Sequence, residues 1–309
     1  MHAAVVTSFD SPPTYQEFAE PVAQRPDEQV VDVVAAALFP LARSKAAGAH
    51  YTSTGELPVV PGVDGVVRDA RGQLLYTVLD DTAFGTFAER TVVRSDRCVP
   101  LPEGVDPITV AAALNPVMSS WVALRHRIDF RPGSRVLVTG ATGSSGRAAI
   151  QVAKLFGAAE VIAAGRNVDK LAELPALGAD RVLTLDQLAQ ASEVDVVIDY
   201  LWGEPAARGM VDLLTHRSDR TRPLTWIEIG SMAGPSAPIP SAALRSARLE
   251  IVGSGIGSVP GDLYRAELGE IVRAVADGRF DIRARAVALS EVEAAWTASD
   301  GADRIVFTP

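Results

Sequence analysis

The run Val136-Leu137-Val138-Thr139-Gly140-Ala141-Thr142-Gly143-Ser144-Ser145-Gly146, followed by RAAIQVAKLFG, has the residue types needed to hold a pyrophosphate. An apolar strand turns into a helix whose free N–H groups and positive dipole end attract anions, and small residues let the backbone come close. Ala141, Gly143 and Gly146 keep the spacing of a dinucleotide loop, with alanine at the first glycine position. A glycine triad alone is a weak signal, but this one sits between a strand and a helix and is followed by a second strand, EVIAAG. That strand ends at Gly165, Arg166 and Asn167, where a fold selective for NAD places a carboxylate on the ribose 2′-hydroxyl. A guanidinium there can grip a 2′-phosphate bidentately, and Lys170 lies one turn further on. The expected cofactor is therefore NADP(H). The competing reading leaves Arg166 solvated and uses Asn167 or Asp169 as a helix cap.

Metal chemistry finds little material. Cys98 is the single cysteine, which removes a disulfide framework and any thiolate zinc cage. The histidines His2, His50, His126 and His216 are scattered, with no pair four residues apart. No metal site is expected.

Two kinds of element must position these groups. Residues 1 to about 105 read as short strands (AAVVTSF, QVVDVVAAAL, VVPGVDGVVRD, QLLYTVL, GTFAERTVV) punctuated by Gly, Pro and Asp, the pattern of a β-rich domain. ITVAAAL and SSWVALRHRI then carry apolar residues at helical spacing. Beyond them strands and helices alternate: RVLVTG, EVIAAG, RVLTL, VDVVIDYL, LTWIEIG and LEIVGSG are too apolar to be exposed on either face, which points to a parallel sheet covered by helices. The tail, from about Ser258, has one amphipathic helix, LYRAELGEIVRAVADG, and then ARAVALS, VEAAW and RIVFTP, and it is placed back on the first domain. Expected domains are 1–108 with 258–309, and 109–257.

At 309 residues the chain is long enough for two domains with large cores. Hydrophobic residues at 48% and charged ones at 22% exclude a disordered chain. A net charge of −9 has the wrong sign for a protein that tracks phosphate backbones, so nucleic acid is not an expected partner. No apolar run reaches the length of about 18 that spans a bilayer, and the N-terminus begins like a strand rather than a signal, so a cytoplasmic location is expected.

With these motifs in hand, the chain resembles the medium-chain dehydrogenase/reductases, specifically their zinc-free quinone oxidoreductase branch. The likeness runs over essentially the whole length: PGVDG at 61–65, GTFAE at 85–89, RPGSRVLVTGATGSSG, AKLFGA, LGAD at 177–180 and VDVVIDYLWG. It implies an α/β fold, a Rossmann doubly wound parallel sheet plus a GroES-like β-rich catalytic domain split around it. Zinc-dependent members have Gly-His-Glu where this chain has Gly62-Val63-Asp64, and an earlier cysteine near what is here Ala37-Leu38-Phe39-Pro40. Val63 and Phe39 cannot ligate a metal, so the implied chemistry is hydride transfer to an already electrophilic acceptor. The polar Asn and Asp usual in the quinone branch correspond here to Phe39 and Ala42, so the acceptor need not be a simple quinone.

The same resemblance assigns candidate site residues. In this fold the substrate is expected in the cleft between domains, above the carboxyl ends of the parallel strands. His50 and Tyr51, in the polar loop AGAHYTSTG, are candidate donors to the acceptor oxygen; such a loop can also be merely exposed. Asn115, Ser119 and Ser120 match the segment that faces the nicotinamide in related enzymes, against helix capping as the alternative. Tyr200, Leu201 and Trp202 follow VDVVID and are expected near the nicotinamide ribose. Gly230-Ser231 and Gly253-Ser254-Gly255 end the last two strands, where backbone groups could hold the carboxamide. Trp121, Trp226 and Trp296 are read as packing residues.

The implied activity is NADPH-dependent reduction of a quinone or of an alkene conjugated to a carbonyl. A carbonyl reductase with a side-chain acid in place of zinc, and a non-catalytic NADPH-binding protein, are the alternatives. The apolar strand LEIVGSG, exposed as an edge, suggests a homodimer paired through the nucleotide domain.

Overall fold

The computed structural model describes residues 1–50, 53, 55–79, 82–255, 257–298 and 303–309. Along the chain come β1 (His2–Val5), β2 (Thr14–Glu17), β3 (Glu28–Ala37), the short helix α1 (Pro40–Ala46), β4 (Asp64–Arg68), β5 (Leu74–Val78), β6 (Arg90–Arg94) and β7 (Cys98–Pro100). Helix α2 (Pro107–Val122) leads to β8 (Arg135–Thr139), α3 (Ser144–Leu155), β9 (Glu160–Gly165), α4 (Val168–Leu171), β10 (Arg181–Thr184) and β11 (Val196–Asp199). There follow α5 (Gly203–His216), β12 (Leu224–Glu228), α6 (Ser241–Ser246), β13 (Leu249–Gly253), α7 (Gly261–Ala276), β14 (Ala284–Ala288), α8 (Val292–Thr297) and β15 (Arg304–Thr308).

The chain divides into two compact units, Met1–Asn115 with Leu268–Pro309, and Pro116–Glu267. Both exchanges fall inside helices, α2 and α7, rather than at the composition changes near 108 and 258. A continuous helix leaves no break in periodicity to mark such a point. Helix α2 also runs through Pro116 without stopping, so ITVAAAL and SSWVALRHRI belong to one helix and not two. By length and composition Pro107–Arg127 would pass for a membrane span, yet 67% of its most apolar window is buried within the protein, as a core helix should be.

The first unit is built on a seven-stranded sheet in the order β14-β15-β3-β4-β5-β7, with β6 also on β3; β1 and β2 form a separate pair. Its core gathers Val31, Val67, Phe87, Phe307 and their neighbours, and Phe87 meets Phe307 edge-on with ring centroids 5.1 Å apart. Gly85 is required there: a Cβ would lie 2.3 Å from the Pro61 carbonyl oxygen, so the GTFAE and PGVDG segments pack backbone against backbone.

The second unit holds six parallel strands in the order β10-β9-β8-β11-β12-β13. The chain starts at β8, winds outward through β9 and β10, then returns to β11 and winds the other way. The order reverses between β8 and β11, the place where such sheets bind nucleotides. Ile162, Leu137, Val197 and Trp226 pack on one face against Met210 and Leu213 of α5, each at 0% exposure, which accounts for the near-continuous apolar strands.

Candidate functional site

The phosphate loop is a tight turn from β8 into α3. Gly140 has a φ of +68°, and the N–H of Ala141 donates to the Ala164 carbonyl at 3.0 Å, fixing the loop to β9. Gly146 cannot be anything larger, since a Cβ would stand 2.4 Å from the Gly140 carbonyl oxygen and 2.6 Å from the Ala141 Cα. A Cβ on Gly143 would meet only the Gly140 carbonyl oxygen, at 3.6 Å, so that glycine keeps the loop surface low rather than avoiding a clash. Gly143 precedes α3, and Ser144, Ser145 and Gly146 head the helix with the N–H groups that a first turn leaves without an intrahelical acceptor. Thr142 packs beneath Gly165, where a Cβ would come within 3.1 Å of its methyl group. The loop fits a dinucleotide: backbone donors, a bare approach and no carboxylate in the first turn of α3.

At the end of β9, Arg166 is exposed and Lys170 half-exposed, and neither side chain is engaged by another described residue. Asn167 does cap α4, its Oδ1 accepting from the Lys170 N–H at 3.0 Å. The capping role expected at that position is therefore filled, while two cations beside it stay available.

The groups after β11 and on α2 come together within the second unit. Ser119 donates its hydroxyl to the Pro116 carbonyl at 2.8 Å, which leaves the Tyr200 phenol to donate to Ser119 Oγ at 2.9 Å. Ser120 is fully buried beside them. Burial pushes the Tyr200 pKa up to about 12, so the phenol keeps its proton throughout the neutral range. Leu201 and Trp202 are half-buried. Trp202 has a φ of +51° and a ψ of −156°, a backbone region that only glycine enters freely, at a cost of about 1–3 kcal/mol. The carbonyls of this segment are clasped to the turn after β12: the N–H of Met232 donates to Tyr200 O at 3.3 Å and that of Ala233 to Leu201 O at 2.7 Å. A Cβ on Gly230 would stand 3.2 Å from Tyr200 O, and Ser231 is exposed. After β13, the Gly253 carbonyl accepts from Arg127, the Gly255 N–H donates to Ser258 Oγ, and the Gly255 carbonyl accepts from Ser258 and Tyr264. Ser254 is buried, its N–H donating to Glu228 O at 2.8 Å.

From the sequence, Asp199 is only the end of a strand and Trp226 only a packing residue. Trp226 is at 0% exposure, but its indole N–H also donates to Asp199 Oδ2 at 2.9 Å. The signal lies in VDVVID, a carboxylate closing a run of buried apolar residues.

In the first unit, Asn115 belongs to a buried polar group that the sequence does not reveal. Asp64, at 1% exposure, accepts from the Tyr76 phenol at 2.7 Å, and its other oxygen has no hydrogen-bond partner. Burial pushes the Asp64 pKa up to about 6, while the Tyr76 hydrogen bond, the Arg304 charge and the Asn115 amide pull the other way. The Arg304 guanidinium lies 4.9 Å from the Phe39 ring centroid. Phe39 and Ala42 are at 4% and 0% exposure, so neither presents a surface to a ligand. A cavity of about 210 Å³ opens in the same unit, lined by Phe9, Lys45, Ser53, Glu56, Val60 and Val63 among others. His50 is half-buried, its carbonyl accepting from the Ser53 N–H at 2.9 Å. Tyr51 lies outside the described residues. Among the described residues no cluster of His, Cys, Asp and Glu could hold a metal.

No family model matches the chain. Over its whole length, and the whole of the relative, it is 30% identical to a "Probable NADPH-dependent quinone reductase" of Emericella nidulans. It is 30% identical to a chloroplastic NADPH-dependent alkenal/one oxidoreductase of Arabidopsis thaliana, over 56% of this chain and 50% of that protein. Among solved structures, the quinone oxidoreductase of Thermus thermophilus, also determined with NADPH, superposes with a TM-score of 0.85 at 25% identity, covering 100% of both chains.

Proposed function

The chain belongs to the quinone oxidoreductase-like branch of the medium-chain dehydrogenase/reductase superfamily, and from that membership we propose how its own residues carry out the reaction. It is an NADPH-dependent oxidoreductase that reduces a quinone or an alkene conjugated to a carbonyl. When bound, NADPH supplies the hydride. The N–H groups of Ser144, Ser145 and Gly146 hold the pyrophosphate, and Arg166 with Lys170 holds the 2′-phosphate. Tyr200, locked to Ser119 and unable to ionise near neutrality, gives the nicotinamide end a rigid wall. Ser120, Leu201, Trp202, Gly230, Ser231 and the 253–255 turn complete that end, and Asn115 is a candidate cofactor contact from the other unit's sequence.

The cavity beside Val60 and Val63 takes the apolar body of the acceptor. With Val63 and Phe39 at the positions where zinc-dependent relatives carry ligands, the acceptor oxygen is polarised by hydrogen bonds instead, and His50, Tyr51 or solvent returns the proton. The observation that carries this reading is the Gly143-Gly146 cradle with a free guanidinium at the end of the next strand. The Pro116–Glu267 unit is the nucleotide domain and the remainder the catalytic one.

Two further features follow from the same reading. Strand β13 is an edge of the parallel sheet, hydrogen-bonded on one side to β12, and a two-fold mate would extend the sheet through it to form a homodimer. A single free cysteine, half-buried, suits a reducing cytoplasmic location. The activity is tested by following NADPH absorbance with a panel of quinones, enones and aldehydes. Turnover of quinones or enones is expected; turnover of aldehydes alone would overturn the assignment of acceptor.

A further inference from the structure

Asp199 is completely buried at the carboxyl end of β11, and a carboxylate withdrawn from water must be supplied with hydrogen bonds. Every hydrogen-bond partner of its carboxylate is a donor. Thr139 Oγ1, in the last residue of β8 before the phosphate loop, donates at 2.5 Å. The Leu201 N–H donates at 2.9 Å, the Trp202 N–H reaches both oxygens at 3.3 Å, and the Trp226 indole of β12 donates at 2.9 Å. Its backbone carbonyl accepts in turn from the N–H groups of Ile229 and Gly230, at 2.9 and 3.2 Å. One residue thus fastens the root of the phosphate loop, the 200–202 segment and the turn after β12.

The strained backbone of Trp202 needs such a clamp, because its φ of +51° would relax toward an ordinary region if the N–H were released. We propose that Asp199 is the positioning residue that sets the two loops of the NADPH site relative to each other. The carboxylate itself need not touch the cofactor. The inference rests on the reading of this unit as the NADPH-binding one. An all-donor shell specifies two acceptor oxygens over an amide, since an asparagine would turn an N–H₂ toward a group that also donates.

The test is fluorescence titration of the wild type, Asp199→Asn, Thr139→Val and Trp226→Phe with NADPH and with NADH, beside thermal melts. Loss of one acceptor oxygen from the loop hydrogen bonds is expected to weaken both cofactors by about tenfold or more in Asp199→Asn, with the NADPH/NADH ratio unchanged. The steady-state effect should fall on KM for NADPH rather than on kcat. Thr139→Val removes only the link to the phosphate loop and should weaken both by about three- to fivefold, whereas Trp226→Phe, which frees neither loop, should stay within about twofold. A lowered Tm with unaltered cofactor affinity in Asp199→Asn would overturn the proposal. So would equal losses in Thr139→Val and Trp226→Phe, a comparison that still decides the matter if Asp199→Asn does not fold. A wild type that binds neither nucleotide would instead refute the reading of the unit.

Discussion

Asp64 and Asp199 are both buried aspartates, one in each unit, and they illustrate opposite solutions to one problem. Asp199 has four donors on its two oxygens. Asp64 has one, from Tyr76; the Asn115 amide is near, but the second oxygen stays unpaired and the pKa is pushed up to about 6. The difference lies in where each sits. A carboxylate at the end of a parallel strand meets the free N–H groups of the following loop, whereas one that starts an antiparallel strand in mid-sheet meets side chains alone. Burial by itself therefore says little about a carboxylate; the donors that the local backbone can turn toward it decide whether it is an anchor or a liability.

The largest effect that could break this contrast is the stability of Asp199→Asn. Placing an amide among donors, with the loss of several charge-assisted bonds, should cost about 3 kcal/mol in urea unfolding at pH 7. An unchanged midpoint would mean that the four donors are satisfied elsewhere. Asp64→Asn should have the opposite sign. Because its folded pKa lies above the ordinary carboxylate value, the stability associated with the protonated acid is present below about pH 4 and is lost as pH rises through about 6. The amide removes that loss, and because the raised value already includes the Arg304 attraction, the variant should gain about 2–3 kcal/mol at pH 7 and nothing at pH 4. Destabilisation at pH 7 would show that the Arg304 attraction outweighs burial.

Glu228 is a third acid, half-buried beside Asp199. It is the neighbour of Asp199 across the β11–β12 register, and burial followed by the Asp199 charge raises its pKa. By the same sign argument, Glu228→Gln should stabilise the fold as pH rises above the carboxylate range. The gain should be below about 1 kcal/mol, since the side chain is half-exposed and screened. A pH-independent difference would contradict the assigned cause.

The contrast also explains what can be read in the sequence. The phosphate loop is legible because every requirement is local: a strand, small residues at fixed spacing, a helix. The doubly wound sheet is legible from its apolar strands. The strands β2 and β7 are not, since TYQE is almost wholly exposed and CVP is only three residues long. The continuity of α2 through Pro116 is hidden by proline's usual effect, because a residue without an N–H reads as a helix end although here the helix runs on to Val122. The Asp64 group is invisible for a different reason. Tyr76 lies 12 residues from Asp64, and Arg304 arrives from the last strand of the chain, so only the folded sheet brings them together. Asp199 is half legible, as a residue whose position is clear and whose partners are not.

We propose that Arg166 gives this chain its preference for NADPH through the 2′-phosphate. The wild type and Arg166→Ala are to be titrated with NADPH and NADH by nicotinamide fluorescence. Loss of a charge-assisted contact to the 2′-phosphate should weaken NADPH binding by about 1.5–3 kcal/mol and leave NADH, which lacks that phosphate, almost unmoved. Lys170→Ala should act in the same direction but less, because an ammonium on a flexible stem makes a looser contact than a planar fork. Parallel losses for both cofactors, or no loss for either, would contradict the account.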